Sequence, residues 1–282
     1  MDRFTVEVDG LSASYLSAGN SGPTVLLLHG TFWSRVWQPV LDKLGERGLR
    51  AIAVDLPGLG RSAGELTLDT ASVPALADWV VRFASAIGID SPVMVGAHDI
   101  GGAIAQHLLV HGGLQVSRLA LMNAVVYDSW PVPAVARYRD PAVIASTSPQ
   151  EIVHLRRQAI TKSLGDASTP ELVEEYLEPW FDPRVARSWM AFAGAADNKY
   201  TRDIEPGLRA STIPKLLLWG EDDQFQRIEF AERFAKEMQN TRLVRIASAA
   251  HFPAENDPRG VSKALGDFFT DARGISRAAP VA

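Results

Sequence analysis

Five short apolar runs constrain this chain most: residues 25–28, 51–54, 93–95, 119–122 and 216–218. Most are followed within two residues by Gly, Asp or Asn, which end strands and turn the chain. Between the first four lie helical patterns over 36–44, 72–87 and 103–110. A strand buried on both faces has no polar side to show. Unbroken apolar runs alternating with helices therefore predict an α/β fold, a mostly parallel twisted sheet with helices on both faces. Residues 243–246 read as a last strand and 258–269 as a closing helix. Residues 4–8 and 13–16 alternate in polarity and suit an antiparallel edge.

The alternation breaks between 125 and 210. That stretch carries Pro131, Pro133, Pro141, Pro149, Pro170, Pro179, Pro183 and Pro206, with helical pieces over 150–164 and 170–177. It also holds Trp130, Trp180 and Trp189. It reads as a mainly helical cap over the carboxyl edge of the sheet, inserted into a core made of 1–124 and 211–271; a plain second domain is the alternative. Residues 272–282 are small or polar and predict a flexible tail.

A chain of 282 residues, 46% hydrophobic and 22% charged, is ample for such a core. A net charge of −5 gives no reason to expect a nucleic acid or an anionic membrane as partner. No stretch approaches the roughly 20 apolar residues that span a bilayer, and Met1-Asp2-Arg3-Phe4 does not open a secretory signal. The absence of cysteine excludes disulfides, thiolate metal sites and a cysteine nucleophile, and fits a cytoplasmic protein. The partners expected are a small molecule and water, with a homodimer left open.

In open α/β sheets, ligands bind outside the carboxyl ends of the strands. Leu28-His29-Gly30-Thr31-Phe32-Trp33 follows the first run, and its glycine allows a tight turn that points an N–H into a cavity. Asp55-Leu56-Pro57-Gly58-Leu59-Gly60-Arg61 follows the second, a structural loop in which Asp55 and Arg61 are expected to brace each other. Trp219-Gly220-Glu221-Asp222-Asp223 is an acidic cluster at a later strand end, and His251 follows the last strand.

The third strand ends in Gly96-Ala97-His98-Asp99-Ile100-Gly101-Gly102. Small residues two positions either side of Asp99 meet the steric demand of a nucleophile elbow, where a strand turns sharply into a helix. Asp is also a favoured helix N-cap, so this segment alone admits a plain cap. A carboxylate at the apex changes the chemistry. It needs no base to activate it and can displace a leaving group from saturated carbon, forming an ester. The order Asp99, Asp223, His251 is that of nucleophile, acid and base in one hydrolase architecture.

On these motifs the chain, from Val25 to Phe269, resembles α/β-hydrolase-fold enzymes. With His98-Asp99 at the elbow it is similar to the aspartate-nucleophile branch, the epoxide hydrolases and the haloalkane and fluoroacetate dehalogenases. The resemblance implies Asp99 as nucleophile, His251 as general base, Asp223 as the acid orienting it (Asp222 the fallback), and the amides of Thr31 and Ile100 as oxyanion donors. Asp99 would form an alkyl ester, which a water activated by His251 would hydrolyse. No metal or organic cofactor is implied.

The leaving group is less legible. Many haloalkane dehalogenases carry Trp after the nucleophile and fluoroacetate dehalogenases carry Arg; here the residue is Ile100. His29-Gly30-Thr31-Phe32 lacks the proline common to both haloalkane dehalogenases and epoxide hydrolases. An epoxide needs a donor on its leaving oxygen, which cap phenols supply. Tyr127, Tyr138, Tyr176 and Tyr200 lie in the insertion with His154, Tyr200 being the leading candidate. An epoxide hydrolase is thus the first expectation. Trp33, Trp130 and Trp189 have indole N–H groups for a halide, so a haloalkane or haloacid dehalogenase is the second. An ester, lactone or C–C bond hydrolase and a non-catalytic binding protein are the remaining alternatives.

Overall fold

A computed structural model describes residues 1–89 and 92–271; the expected tail, 272–282, lies outside the described residues. Eight strands form one sheet: β1 (Asp2–Val8), β2 (Leu11–Ala18), β3 (Thr24–Leu28), β4 (Arg50–Val54), β5 (Val93–Asp99), β6 (Val116–Ala124), β7 (Lys215–Gly220) and β8 (Thr241–Ile246). Their order is β1-β2-β4-β3-β5-β6-β7-β8. β1 and β2 pair antiparallel, as does β2 with β4, and every later pairing is parallel. Every residue of β5 and β7 is buried, which is why the apolar runs Val93-Met94-Val95 and Leu216-Leu217-Leu218 dominate them.

Three helices cover the first half of the sheet: α1 (Gln38–Glu46), α2 (Val73–Ala86) and α3 (Gly101–His111). α1 packs with the closing helix Pro258–Thr270, and α2 packs with α3. From β3 the chain moves outward to β4, then crosses back to β5 on the other side of β3. Adjacent strands that send the chain in opposite directions leave a crevice at their carboxyl ends. Thr31 follows β3 and Asp99 ends β5, so both stand at this switch point.

The segment between β6 and β7 is helical, its main pieces being Pro149–Leu164, Pro170–Leu177 and Pro183–Gly194. All of its prolines but Pro131 and Pro214 stand at the first or second position of a helix. The side chains of Ser148, Thr169 and Asp182 each accept a backbone N–H of the first turn, and each is followed by the proline that opens the helix. Proline suits that position because its missing N–H would have no intrahelical partner there. This segment is tied to the rest of the chain by Arg35, whose Nε meets Glu175 at 2.7 Å and whose Nη1 meets Glu255 at 2.6 Å.

Asp55 is braced differently from the expectation. Arg61 contributes only its backbone N–H (3.1 Å), its guanidinium turning to Glu178, and the charge partner is Arg3 at 2.9 Å. Among the described residues no helix is long and apolar enough to cross a membrane.

Candidate active site

Asp99 has φ +54°, in the left-handed region that a non-glycine residue occupies only when its surroundings impose it. The elbow closes by backbone contact. A Cβ on Gly101 would lie 2.6 Å from the His29 carbonyl oxygen, and one on Gly30 would lie 2.6 Å from Asp99 Oδ2. Glycine at both positions lets the β3 loop and the head of α3 meet around the carboxylate. Thr31 then grips one carboxylate oxygen twice: its amide donates to Asp99 Oδ2 at 2.8 Å and its hydroxyl at 2.6 Å. The amide was expected there; the hydroxyl is an additional donor. Ile100 lines the adjoining cavity.

His251, 2% exposed, lies after β8 with Nδ1 2.8 Å from Asp223 Oδ2. Because the acceptor is a carboxylate, Nδ1 carries the proton and donates it, leaving Nε2 as the basic atom. Burial alone would lower the His251 pKa; the Asp223 charge and hydrogen bond outweigh it and hold the pKa above the ordinary 6.5. Asp223 is pushed up by burial, but His251 and the donors around the carboxylate pull it lower still, so its pKa lies below the ordinary value. Asp222 is exposed; Asp223 is the acid that meets His251.

Asn123 escapes the sequence reading, which takes His98 only as part of the elbow, with no role of its own. Asn123, at the end of β6, donates to Asp223 Oδ2 at 2.6 Å and accepts from the Gly220 amide at 2.9 Å. It thereby fixes the carboxylate to the strand end that carries it. The only signal was a polar residue at a strand end. His98 donates from Nε2 to the His251 carbonyl at 2.8 Å. Burial, and then the neighbouring His251, push its pKa well down, so it is a neutral donor that positions His251.

Asp99 and His251 face one cavity of about 240 Å³, with Thr31, Phe32 and Ile100 on the sheet side and Trp130, Tyr138, Arg156 and Trp189 among the residues opposite. Of the residues expected to meet the leaving group, Trp33, Tyr127, His154 and Tyr200 lie outside it. The Trp33 indole donates to the Tyr176 carbonyl at 3.0 Å. Tyr127 donates to Glu237 at 2.9 Å under the Arg233 guanidinium. Tyr200 packs beneath Lys199 on a short helix. His154 points outward because its helix buries Ile152, Arg156 and Ile160, a four-residue spacing that turns position 154 to the opposite face. Trp130 does line the cavity, but its N–H is committed to Thr201 Oγ1 at 2.8 Å.

Tyr138 is instead the phenol at the cavity, its oxygen accepting from Arg137 at 3.1 Å. Trp189 lies against it, ring centroids 5.3 Å apart and nearly perpendicular, with its indole N–H buried and without an acceptor. Arg156, 4% exposed, is the unanticipated charge: its Nη2 donates to the Thr31 carbonyl at 3.0 Å. Burial draws its pKa down to about 9, against the pull of Asp99.

The model of the alpha/beta hydrolase family matches residues 25–264. The chain is 26% identical to a haloalkane dehalogenase of Mesorhizobium japonicum, over 95% of this chain and 91% of that one. It is 27% identical to epoxide hydrolase 4 of Homo sapiens, over 94% of this chain and 78% of the human protein. Among solved structures, an alpha/beta hydrolase fold protein from Burkholderia ambifaria matches with a TM-score of 0.81 at 24% identity, covering 94% of this chain and 96% of that one. That last likeness speaks for the fold alone. With the family model running from the first buried parallel strand into the closing helix, this chain belongs to the alpha/beta hydrolase family.

Proposed function

We propose that the protein hydrolyses a bond between saturated carbon and a leaving group through a covalent ester of Asp99. The observation that carries this reading is the grip of Thr31 on Asp99 Oδ2, by amide at 2.8 Å and hydroxyl at 2.6 Å, beside a cavity that also exposes His251. With Oδ2 held, Oδ1 is the oxygen that attacks. The carbon–leaving-group bond breaks and its electron pair departs with the leaving group. His251 Nε2 then takes a proton from water, and the hydroxide adds to the Asp99 carboxyl carbon. The negative charge builds on Oδ2, where the Thr31 donors already stand; such preorganised donors lower barriers because nothing has to reorient. Attack by a carboxylate on an acyl carbon would give a high-energy anhydride, which disfavours an esterase. The relatives named a haloalkane dehalogenase and an epoxide hydrolase are compatible with ester chemistry at saturated carbon.

Halide is the leaving group these surroundings favour. A buried indole N–H without an acceptor costs free energy until an acceptor arrives, and Trp189, one of the residues lining the cavity, carries such an N–H. A halide needs donors and no proton. An epoxide is the second reading, favoured by the Tyr138 phenol at the cavity. Incubating His251→Gln with 1-bromobutane or styrene oxide and measuring intact and peptide mass tests both. The expected outcome is a stable adduct on Asp99 from at least one reagent, the bromide reacting faster. An Asp99 peptide that stays unmodified with both, in a folded protein, rejects the ester mechanism.

A further inference from the structure

The loop that carries His251 is held by its backbone, residue after residue, from several directions. The Ala249 carbonyl accepts the Asp222 amide at 2.9 Å. The Ala250 amide donates to Asn256 Oδ1 at 3.0 Å. The His251 carbonyl accepts from His98 at 2.8 Å, and the Phe252 amide donates to the Ser163 carbonyl at 2.9 Å. Asn256 also reaches out of the loop, its Nδ2 donating to the Leu164 carbonyl at 2.8 Å. Ser163 and Leu164 end the helix Pro149–Leu164. Carbonyls of a last helical turn have no intrahelical partner and must find donors elsewhere. Gly165 lets the two meet: its φ is +54°, and a Cβ there would lie 2.8 Å from the Ala250 Cβ. The same helix lines the cavity with Leu155, Arg156, Ala159 and Lys162. One helix thus borders the substrate's space along its length and holds the loop of the general base at its end.

The hydrogen bond from His251 to Asp223 fixes the tautomer of the ring and its affinity for a proton. One bond at Nδ1 does not by itself fix where Nε2 points; the backbone that carries the ring does. Nε2 has to meet a water that in turn meets the Asp99 carboxyl carbon. A misplacement of about 1 Å in such an arrangement costs on the order of a hundredfold in rate. A loop outside helix and strand gives that accuracy only when neighbouring hydrogen bonds pin it.

We propose that Asn256 is a positioning residue for the general base: by bonding the Ala250 amide and the Leu164 carbonyl, it ties the backbone of His251 to the end of the cavity-lining helix and aims Nε2 at the hydrolytic water. This rests on the Asp99 ester reading and gives Asn256 a part in the second step alone. Attack of a carboxylate on saturated carbon needs no base, so the first step does not call on Asn256. Its neighbours serve other purposes. Glu255 meets Arg35, and Asp257 caps the closing helix through the Gly260 amide at 2.8 Å.

Quenched reactions with 1-bromobutane or styrene oxide, read by intact mass, follow the Asp99 ester as it forms and decays. Asn256→Ala should form the ester at the wild-type rate and hydrolyse it about tenfold to a hundredfold more slowly, so that ester accumulates. The pH midpoint of hydrolysis should not move, because the bond from His251 to Asp223 is kept. Asn256→Asp keeps an acceptor for Ala250 but sets a carboxylate oxygen against the Leu164 carbonyl, so it should be slow as well; it carries the test if Asn256→Ala does not fold. Asp257→Ala, which loses the adjacent helix cap and no bond to the loop, should hydrolyse the ester at the wild-type rate. Amide hydrogen exchange on the same proteins should quicken in peptides covering Ala250 and Phe252 for the Asn256 variants and not for Asp257→Ala. The proposal is overturned if Asp257→Ala is as slow as Asn256→Ala, since lost stability alone would then explain the effect. It is equally overturned if Asn256→Asp hydrolyses at the wild-type rate, if alkylation slows along with hydrolysis, or if the pH midpoint shifts in Asn256→Ala. If neither reagent modifies Asp99 in the wild type, the ester reading fails, and hydrogen exchange still decides whether Asn256 holds the loop: exchange unchanged in its variants overturns that too.

Discussion

At the scale of single residues, the His251–Asp223 pair sets how activity should depend on pH. His251 accepts a proton from water only when neutral, and its pKa is held above 6.5 by the Asp223 carboxylate. Ester hydrolysis should therefore rise with pH, with a midpoint above that value. Asp223→Asn leaves burial as the dominant influence, so the midpoint should move to lower pH. Turnover should fall by about 10⁴, because the imidazole loses its tautomer and its charge partner. A pH–rate profile of both proteins reads both effects; an unchanged midpoint would remove Asp223 from the role given to it. The pair also contributes to stability with opposite signs at the two ends of the pH scale. The raised His251 pKa stabilises the fold fully below its unfolded value and loses that contribution as pH rises through the folded pKa. The lowered Asp223 pKa stabilises above its unfolded value and loses that as pH falls.

At the scale of elements, the central strands are readable because burial on both faces makes them largely apolar, and the helices between β6 and β7 because Ser148-Pro149, Thr169-Pro170 and Asp182-Pro183 mark their starts. Asp182 Oδ1 accepts the Arg184 amide at 2.8 Å at the head of the helix that carries Trp189. Asp182→Ala should cost about 1 kcal/mol of stability, the usual worth of an N-cap, and Asp182→Asn less. Chemical denaturation of the two variants checks this; equal losses would mean that the Arg184 ion pair matters more than the cap. What the elements hide is which charged residue turns inward. Arg156 and Arg157 are adjacent in sequence, and one is buried while the other is partly exposed. The four-residue spacing Ile152, Arg156, Ile160 places Arg156 on the buried face, but nothing local says that a charge is tolerated there, because the aromatic rings around it come from elsewhere in the chain. Asn123 was hidden for the same reason: its partners lie 97 and 100 residues away. Which of the four candidate phenols reaches the cavity was hidden as well, because a helical segment says which residues are polar but not which of its faces covers the sheet.

At the scale of the molecule, the proposed chemistry needs the helical segment that lines the cavity to be held against the core, and one buried arginine contacts both. Arg35 lies in the loop after β3 with its side chain 8% exposed, contacting Glu175 from above and Glu255 from below. Tyr176 adds its hydroxyl to Glu255 at 2.8 Å and its ring to the guanidinium at 4.8 Å. Glu255 is 12% exposed, so removing Arg35 strands a carboxylate in a largely buried place. Breaking a buried pair from one side typically costs about 3–5 kcal/mol, while replacing both partners by neutral groups of similar shape costs far less. Arg35→Met should therefore destabilise the protein by roughly that amount, and Arg35→Met/Glu255→Gln should recover much of the loss. Denaturation of the wild type, both single variants and the double variant closes the cycle. Additive losses, with no recovery in the double variant, would mean that Arg35 acts through its packing on Tyr176 and not through its pairing with Glu255.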